Sequence, residues 1–335
     1  MKLFPAILLV SQITSCASSV RAQTMKSPEQ TMNPPTQTVK PELFAPGVIS
    51  GPVDDASPAF TPDGKTVYFY RGGSALGRVI LVSHLQNGKW STPAIAPFSG
   101  RWRDIEPAMA PDGSYLIFAS NRPASPGGKA LNGFYSSRLV PLGGGNLWRV
   151  DRKGDSWGEP YRLPDIINGD SSVFAPAITA DGSLYFMKPV ADTGRFHIYR
   201  SAYRNGQYEQ PILVPFTLAD SVGDVDPAVS PDDSFLVFGS GRSKIKGQLF
   251  IVFRENGQWG TPVNMGEAVN GSTGGIEPRL SPDHRTLYFS STYTQDVTYP
   301  VDPAATKRKL AESEWDTGGN NIWLVSLDQW LNKRN

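Results

Sequence analysis

The chain has 335 residues, a formal net charge of +1, 39% hydrophobic and 19% charged residues, the proportions of an ordinary globular protein. The near-neutral charge removes the electrostatic reason to expect nucleic acid or an anionic membrane surface as partner. With 33 Gly and 29 Pro the chain is rich in turn formers, which favours an all-β protein.

Residues 1–22 read as a targeting segment. Lys2 precedes an apolar run from Leu3 to Val10 that is too short to span a bilayer. Two processing routes compete. Ile13-Thr14-Ser15-Cys16 resembles a bacterial lipobox, in which Cys16 is acylated and becomes the mature N-terminus. The alternative is ordinary cleavage after Ala22. Cys16 is the single cysteine of the chain, and a lone secreted thiol has no other explanation, so the lipid route is preferred. Both routes give a mature protein with no disulfide, placed in the periplasm or outer membrane as a lipoprotein, or otherwise secreted. Residues 23–41 lack hydrophobic periodicity and read as a flexible tether.

From residue 42 to 331 one pattern recurs five times. The copies begin at Ser57-Pro58-Ala59-Phe60, Glu106-Pro107-Ala108-Met109, Ala175-Pro176-Ala177-Ile178, Asp226-Pro227-Ala228-Val229 and Glu277-Pro278-Arg279-Leu280. Each passes through an Asp-centred turn (Asp63, Asp112, Asp181, Asp232, Asp283) into an aromatic-rich strand. The turn Asp residues lie 49, 69, 51 and 51 positions apart, and a period near fifty marks a repeat architecture. A third strand follows in every copy. In four copies an Asn-Gly or Lys-Gly turn then leads to Trp90-Ser91-Thr92-Pro93 or its counterparts at Trp157, Tyr208 and Trp259, a fourth strand whose Pro suits an edge.

Four antiparallel strands per period make a propeller blade. The expected fold is therefore all-β, a five-bladed β-propeller of four-stranded antiparallel blades. Leu43–Ser50 looks like a fourth strand with no first three, and the fifth repeat stops at Trp330 without a fourth. The N-terminal strand should complete the last blade and remove an open edge. Insertions at 123–145 and 292–319 separate second and third strands. Both should emerge on the face where first strands begin, together with the loops between blades. Function is expected there, since binding residues sit on loops over a rigid scaffold.

The motif Pro-x-x-(Ser/Ala)-Pro-Asp-Gly-x-x-Leu-x-Phe-x-Ser-x-Arg, followed by Trp-x-x-Pro, resembles the TolB-like β-propeller repeats of bacterial envelope proteins. Ser120-Asn121-Arg122 and Ser240-Gly241-Arg242 fit it best, and the resemblance spans about residues 43–328. It implies a propeller in the cell envelope and leaves the activity open. Such propellers also gate some peptidases, but no Gly-x-Ser-x-Gly elbow follows the repeats. Repeat three departs from the pattern, with Val173-Phe174-Ala175 in place of an acidic start.

The turn Asp residues read as structural, and Trp90, Trp157 and Trp259 as packing between blades. The three histidines are scattered, so neither a metal site nor a Ser-His-Asp constellation is expected, and no cofactor. What remains is a polar ring near the axis. Strand-one starts supply Asp55, Asp104, Glu106, Asp224, Asp226 and Glu277; strand-two ends supply Arg71, Arg122, Lys188 and Arg242. These groups either pair with one another or leave part of the ring free for a ligand. Arg279 stands where four other blades carry Ala, and a charge there needs a partner, with Glu277 and Glu106 first in line. The candidate ligand-binding set is therefore Arg71, Asp104, Glu106, Arg122, Asp226, Arg242, Glu277 and Arg279, with Cys16 as the lipidation site.

Two functions follow. The first is a non-enzymatic, monomeric, extracytoplasmic scaffold that binds an envelope protein, a peptide or a glycan through its insertion face, and meets the membrane only through its N-terminal lipid. The second is a glycoside hydrolase-like enzyme using central carboxylates, Glu106 or Glu277 as acid and Asp226 as base.

Overall fold

The structure, a computed structural model, describes residues 40–332 apart from 74–76, 191, 218–221, 244–246, 272–273, 293–299, 301, 305–306 and 308–318. Cys16, the targeting segment and most of the 292–319 insertion lie outside the described residues.

Each repeat folds into an antiparallel sheet, and five sheets form five blades. The first three strands of blade one are Asp54–Phe60, Thr66–Gly73 and Gly77–Gln86. Those of blade two are Asp104–Met109, Tyr115–Ser120 and Asn146–Lys153. Blade three uses Phe174–Ile178, Leu184–Pro189 and Phe196–Ser201. Blade four uses Asp224–Val229, Phe235–Ser240 and Gln248–Glu255, and blade five Ile276–Leu280, Thr286–Ser291 and Asn321–Ser326. First strands of neighbouring blades touch all the way round, including those of blades five and one. The ring is closed at its axis.

The turns work as their residues dictate. Asp63 accepts from Thr61 Oγ1 at 2.6 Å and from the Lys65 amide at 3.0 Å, and Gly64 takes the φ of +67° that the turn requires. In blades four and five that position falls to Asp233 and His284, at φ +60° and +58°, where a side chain costs strain. Asp233 is secured by the Tyr185 hydroxyl at 2.7 Å and by Arg254.

The fourth strand differs from expectation. It is broken in two: Lys89–Trp90 and Ala94–Ile95 pair separately with the third strand of blade one, and blades two and four repeat the break. A Pro lies in each gap (Pro93, Pro160, Pro262), and its missing N–H interrupts the ladder. The N-terminal segment is shorter than the Leu43–Ser50 strand expected. Glu42 and Leu43 pair with Leu324 and Trp323; the chain then curls back at Ala45 and Gly47, both at positive φ.

The core lies between blades. Phe69, Phe118, Phe186, Phe238 and Phe289, one from each second strand, are fully buried, each contributing on the order of 2–3 kcal/mol. The fourth-strand aromatics lean on the preceding blade. Trp157 of blade two donates its indole N–H to Tyr68 Oη of blade one at 2.9 Å and meets that ring edge-on. Trp259 of blade four meets Tyr185 of blade three in the same way. Blade five has no such Trp; Trp330, in the short helix Asp328–Leu331, is buried in a cluster with Val237, Ile251 and Phe253 of blade four.

Candidate functional site

Every first strand carries one β-bulge, and the residue at its centre has positive φ: Ser57, Glu106, Ala175, Asp226 and Glu277, at +53°, +55°, +51°, +54° and +52°. Each precedes a proline. Left-handed geometry on a non-glycine residue is strained, and five repetitions mean that the surrounding ring over-determines it. The bulges turn these residues into a ring of contacts from one blade to the next. Glu106 accepts the Ala175 amide at 2.6 Å and Asp226 the Glu277 amide at 3.3 Å. Glu277 accepts the Ser57 hydroxyl at 2.5 Å and the Tyr70 hydroxyl at 2.8 Å.

Three carboxyl groups are thus buried about one axis. Burial, with the neighbouring charges of Glu277 and then Asp226, pushes Glu106 up to about 8. Burial and Glu277 push Asp226 up to about 7. Near neutral pH the ring therefore holds protons that solvent-exposed carboxylates have already released.

The outer candidates are occupied. Asp55 pairs with Arg71 at 2.7 Å, Asp104 with Arg122 at 2.9 Å and Asp224 with Arg242 at 2.8 Å. Each guanidinium also reaches a backbone oxygen of the segment entering the blade: Ile49, Phe98 and Phe216. Arg122 and Arg242 stack on the second-strand rings of Phe118 and Phe238. These clasps fasten blade entrances, and they engage Arg71, Asp104, Arg122 and Arg242 of the candidate ligand-binding set. Lys188 lies over the Tyr199 ring in blade three, which has no Asp at the clasp position.

Arg279 also departs from expectation. It is 6% exposed, yet no ion pair among the described residues joins it to a carboxylate. Its Nη1 donates to Pro278 O at 2.8 Å and its Nε to Pro107 O at 3.5 Å, while Nη2 has no hydrogen-bond partner. The bulge at Glu277 and Pro278 displaces the strand register, so Arg279 lines a channel among residues of the Asp turns rather than joining the carboxylates.

On the insertion face the structure reveals groups that the repeat pattern hid. A cleft of about 450 Å³ is lined by Asp54, Gly73, Gly77, Arg78, Arg103, Asn121 and Leu142. Arg103 lies over the Phe174 ring and Arg78 over the Tyr70 ring. Among the described residues neither guanidinium makes an ion pair, and Arg103 Nη1 is sealed from solvent with no hydrogen-bond partner. Burial lowers the Arg103 pKa, while Glu106 acts to raise it.

Beside this cleft the 123–145 insertion forms a hairpin, Gly133–Tyr135 with Arg138–Val140. It presents Phe134, Leu139 and Leu142 at 58%, 61% and 59% exposure. Among the described residues no group of three or more His, Cys, Asp or Glu could hold a metal ion, and no helix is long and apolar enough to cross a membrane.

No protein family and no curated protein matches the chain. Among solved structures it is similar to a xylan β-1,4-xylosidase from Bacillus halodurans C-125, with TM-score 0.50 and 12% identity over 84% of this chain and 54% of that one. It is also similar to a putative TolB from Agrobacterium tumefaciens, with TM-score 0.47 and 18% identity over 83% of this chain and 79% of that one. A protein of unknown function from Dyadobacter fermentans is similar at TM-score 0.48 and 15% identity, over 77% and 80% of the two chains. The chain spans about half the length of the xylosidase, and that likeness is one of fold. By its five sheets of four or five strands the chain is a five-bladed propeller.

Proposed function

We propose that the protein is an extracytoplasmic, non-enzymatic binding propeller of residues 42–331, held near the envelope by an acylated Cys16, and that it receives a protein or glycan on its insertion face. In this reading the strand Glu42–Leu43 closes the ring by completing blade five. Arg71 holds Ile49 O as Arg122 holds Phe98 O and Arg242 Phe216 O, which gives the N-terminal segment the place of a preceding blade's outer edge.

The observation that carries the binding reading is the pairing of a cleft holding two arginines without ion pairs among the described residues, Arg78 and Arg103, with an apolar hairpin tip. A buried guanidinium nitrogen without an acceptor is costly in isolation, and exposed Phe and Leu on one hairpin mark a contact surface. A ligand with anionic groups for Arg78 and Arg103 and an apolar part for Phe134 and Leu139 satisfies both. The test is a binding screen of the full chain against acidic peptides and anionic and neutral oligosaccharides. Anionic probes should bind, and Arg78→Gln with Arg103→Gln should weaken them about tenfold or more. Selective binding of neutral probes, unchanged in that variant, would overturn the reading.

The elevated Glu106 favours a second reading, since a neutral carboxylic acid beside a second carboxyl is what a glycosidase acid requires. Against it, Glu106 is 5% exposed and one oxygen is committed to the Ala175 amide. Hydrolysis of aryl glycosides by the wild type, lost in Glu106→Gln, would favour the enzyme.

Anchoring has its own test. Cys16→Ser should move the protein from the membrane fraction to the soluble periplasm. A native protein already soluble, with Gln23 at its N-terminus, would show simple cleavage instead.

A further inference from the structure

The face opposite the insertions holds a second site. A channel of about 120 Å³ enters the axis among the Asp turns, walled by Pro58, Pro62, Pro111, Pro176, Pro231 and Pro282 at successive levels. Deeper in, Ala59, Ala108, Ala177 and Ala228 line it. Each of these four comes from a different first strand, at the position that Arg279 occupies in the fifth. The wall carries no carboxylate. Arg279 lies within this lining with Nη2 lacking any hydrogen-bond partner, and His284 of the blade-five turn also lines the channel with Nδ1 unpartnered.

We infer that this channel binds a small monocarboxylate, its head on Arg279 and its short apolar stem against the ring of alanines. The chemistry follows from the lining. A planar guanidinium whose buried Nη2 has no acceptor, its Nη1 and Nε being held by backbone carbonyls, suits a carboxylate. The wall is mostly apolar, with Ser281 and His284 as its other polar residues, so a polyol or a multiply charged group finds few partners, and a volume of about 120 Å³ admits a small stem alone. Chloride meets the charge but gains nothing from the apolar walls. Glu106, raised to about 8, keeps most of its proton near neutral pH and compensates Arg279 weakly, while Asp226, raised to about 7, is about half ionised there; among the described residues neither makes an ion pair with the guanidinium. This site lies apart from the Arg78–Arg103 cleft and can fail without affecting it.

The experiment is a titration of the full chain, labelled with ¹³C at alanine methyls, with sodium propionate at constant ionic strength. The methyls of Ala59, Ala108, Ala177 and Ala228 should shift together and saturate, and Arg279→Gln should abolish the response while the remaining spectrum keeps its dispersion. If Arg279→Gln does not fold, Ala177→Leu, which fills the channel and leaves Arg279 in place, should abolish the same response. A short peptide acid binding more tightly than propionate would identify a chain terminus as the source of the carboxylate; the reverse would identify a free acid. An unchanged response in both variants overturns the inference. So does sodium chloride saturating the same shifts as strongly as propionate.

Discussion

Removal of residues 42–52 is expected to unfold the protein or cost it most of its stability, whereas removal of residues 23–38 should change nothing. The deleted stretch holds Phe44, at 7% exposure, and Ile49, at 0%. Phe44 meets Trp90 and Tyr288 edge-on, joining the first blade to the last. Burying two such side chains contributes on the order of 5 kcal/mol. The deletion also strips Arg71 of the Ile49 carbonyl and leaves the edge of Asn321–Ser326 unpaired. Against a whole-domain stability of about 5–15 kcal/mol this is a large share, and the bare edge invites aggregation. Thermal melting and soluble yield measure it. A truncated protein that keeps its melting temperature would show that the N-terminal segment does not close the ring.

Stability should fall, not rise, as the pH climbs from about 5 to about 8.5. For Glu106 and Asp226 the folded-state pKa values, about 8 and about 7, lie above the reference values of 4.5 and 3.8. Between those limits the folded protein binds more protons than the unfolded chain, so the slope of unfolding free energy with pH is negative. Asp55, raised to about 6 by burial despite Arg71, adds in the same sense. The stability is therefore present in mild acid and is lost as the carboxyls ionise. Glu106→Gln keeps an acceptor for the Ala175 amide and removes the charge. It should raise stability near pH 8.5 by roughly 2–4 kcal/mol, given about 1.4 kcal/mol per pKa unit, and alter it little near pH 5. Urea unfolding at the two pH values decides the matter. A variant whose stability falls with pH as steeply as the wild type's would remove Glu106 as the cause.

Much of this architecture is legible in the sequence because each blade repeats a local chemistry: Asp and Gly at the turn, an aromatic second strand, a Trp before the edge Pro. The axial acids are legible too, since Glu106, Asp226 and Glu277 fall on one repeat position. The break in the fourth strand was signalled by Pro93 and its counterparts, yet a proline there suits an edge strand as well as an interrupted one. Arg78 and Arg103 escape such a reading because they recur in no other blade, and repeats draw attention to what is shared. The signal was present: Arg103 faces Gly223 and Gly274 in the aligned copies, the same kind of departure that singled out Arg279. The direction of Arg279 could not be read, because strand alternation fails across a bulge, and that bulge depends on left-handed geometry before proline, which composition disfavours rather than announces.

Those five bulges also govern how such a ring can change by mutation. A left-handed residue squeezed against a following proline shuts out branched side chains, and the five positions here hold Ser, Glu, Ala, Asp and Glu. They work as five sockets with a short vocabulary, and across the ring one backbone geometry holds small neutral groups at two of them and acids at three. Ser57 and Ala175 are the sockets holding neutral groups. A single codon change at either writes a new carboxyl beside the axis, and a change at Glu106 or Asp226 erases one. The charge at the centre of the molecule can thus be rewritten while the blades that surround it stay as they are.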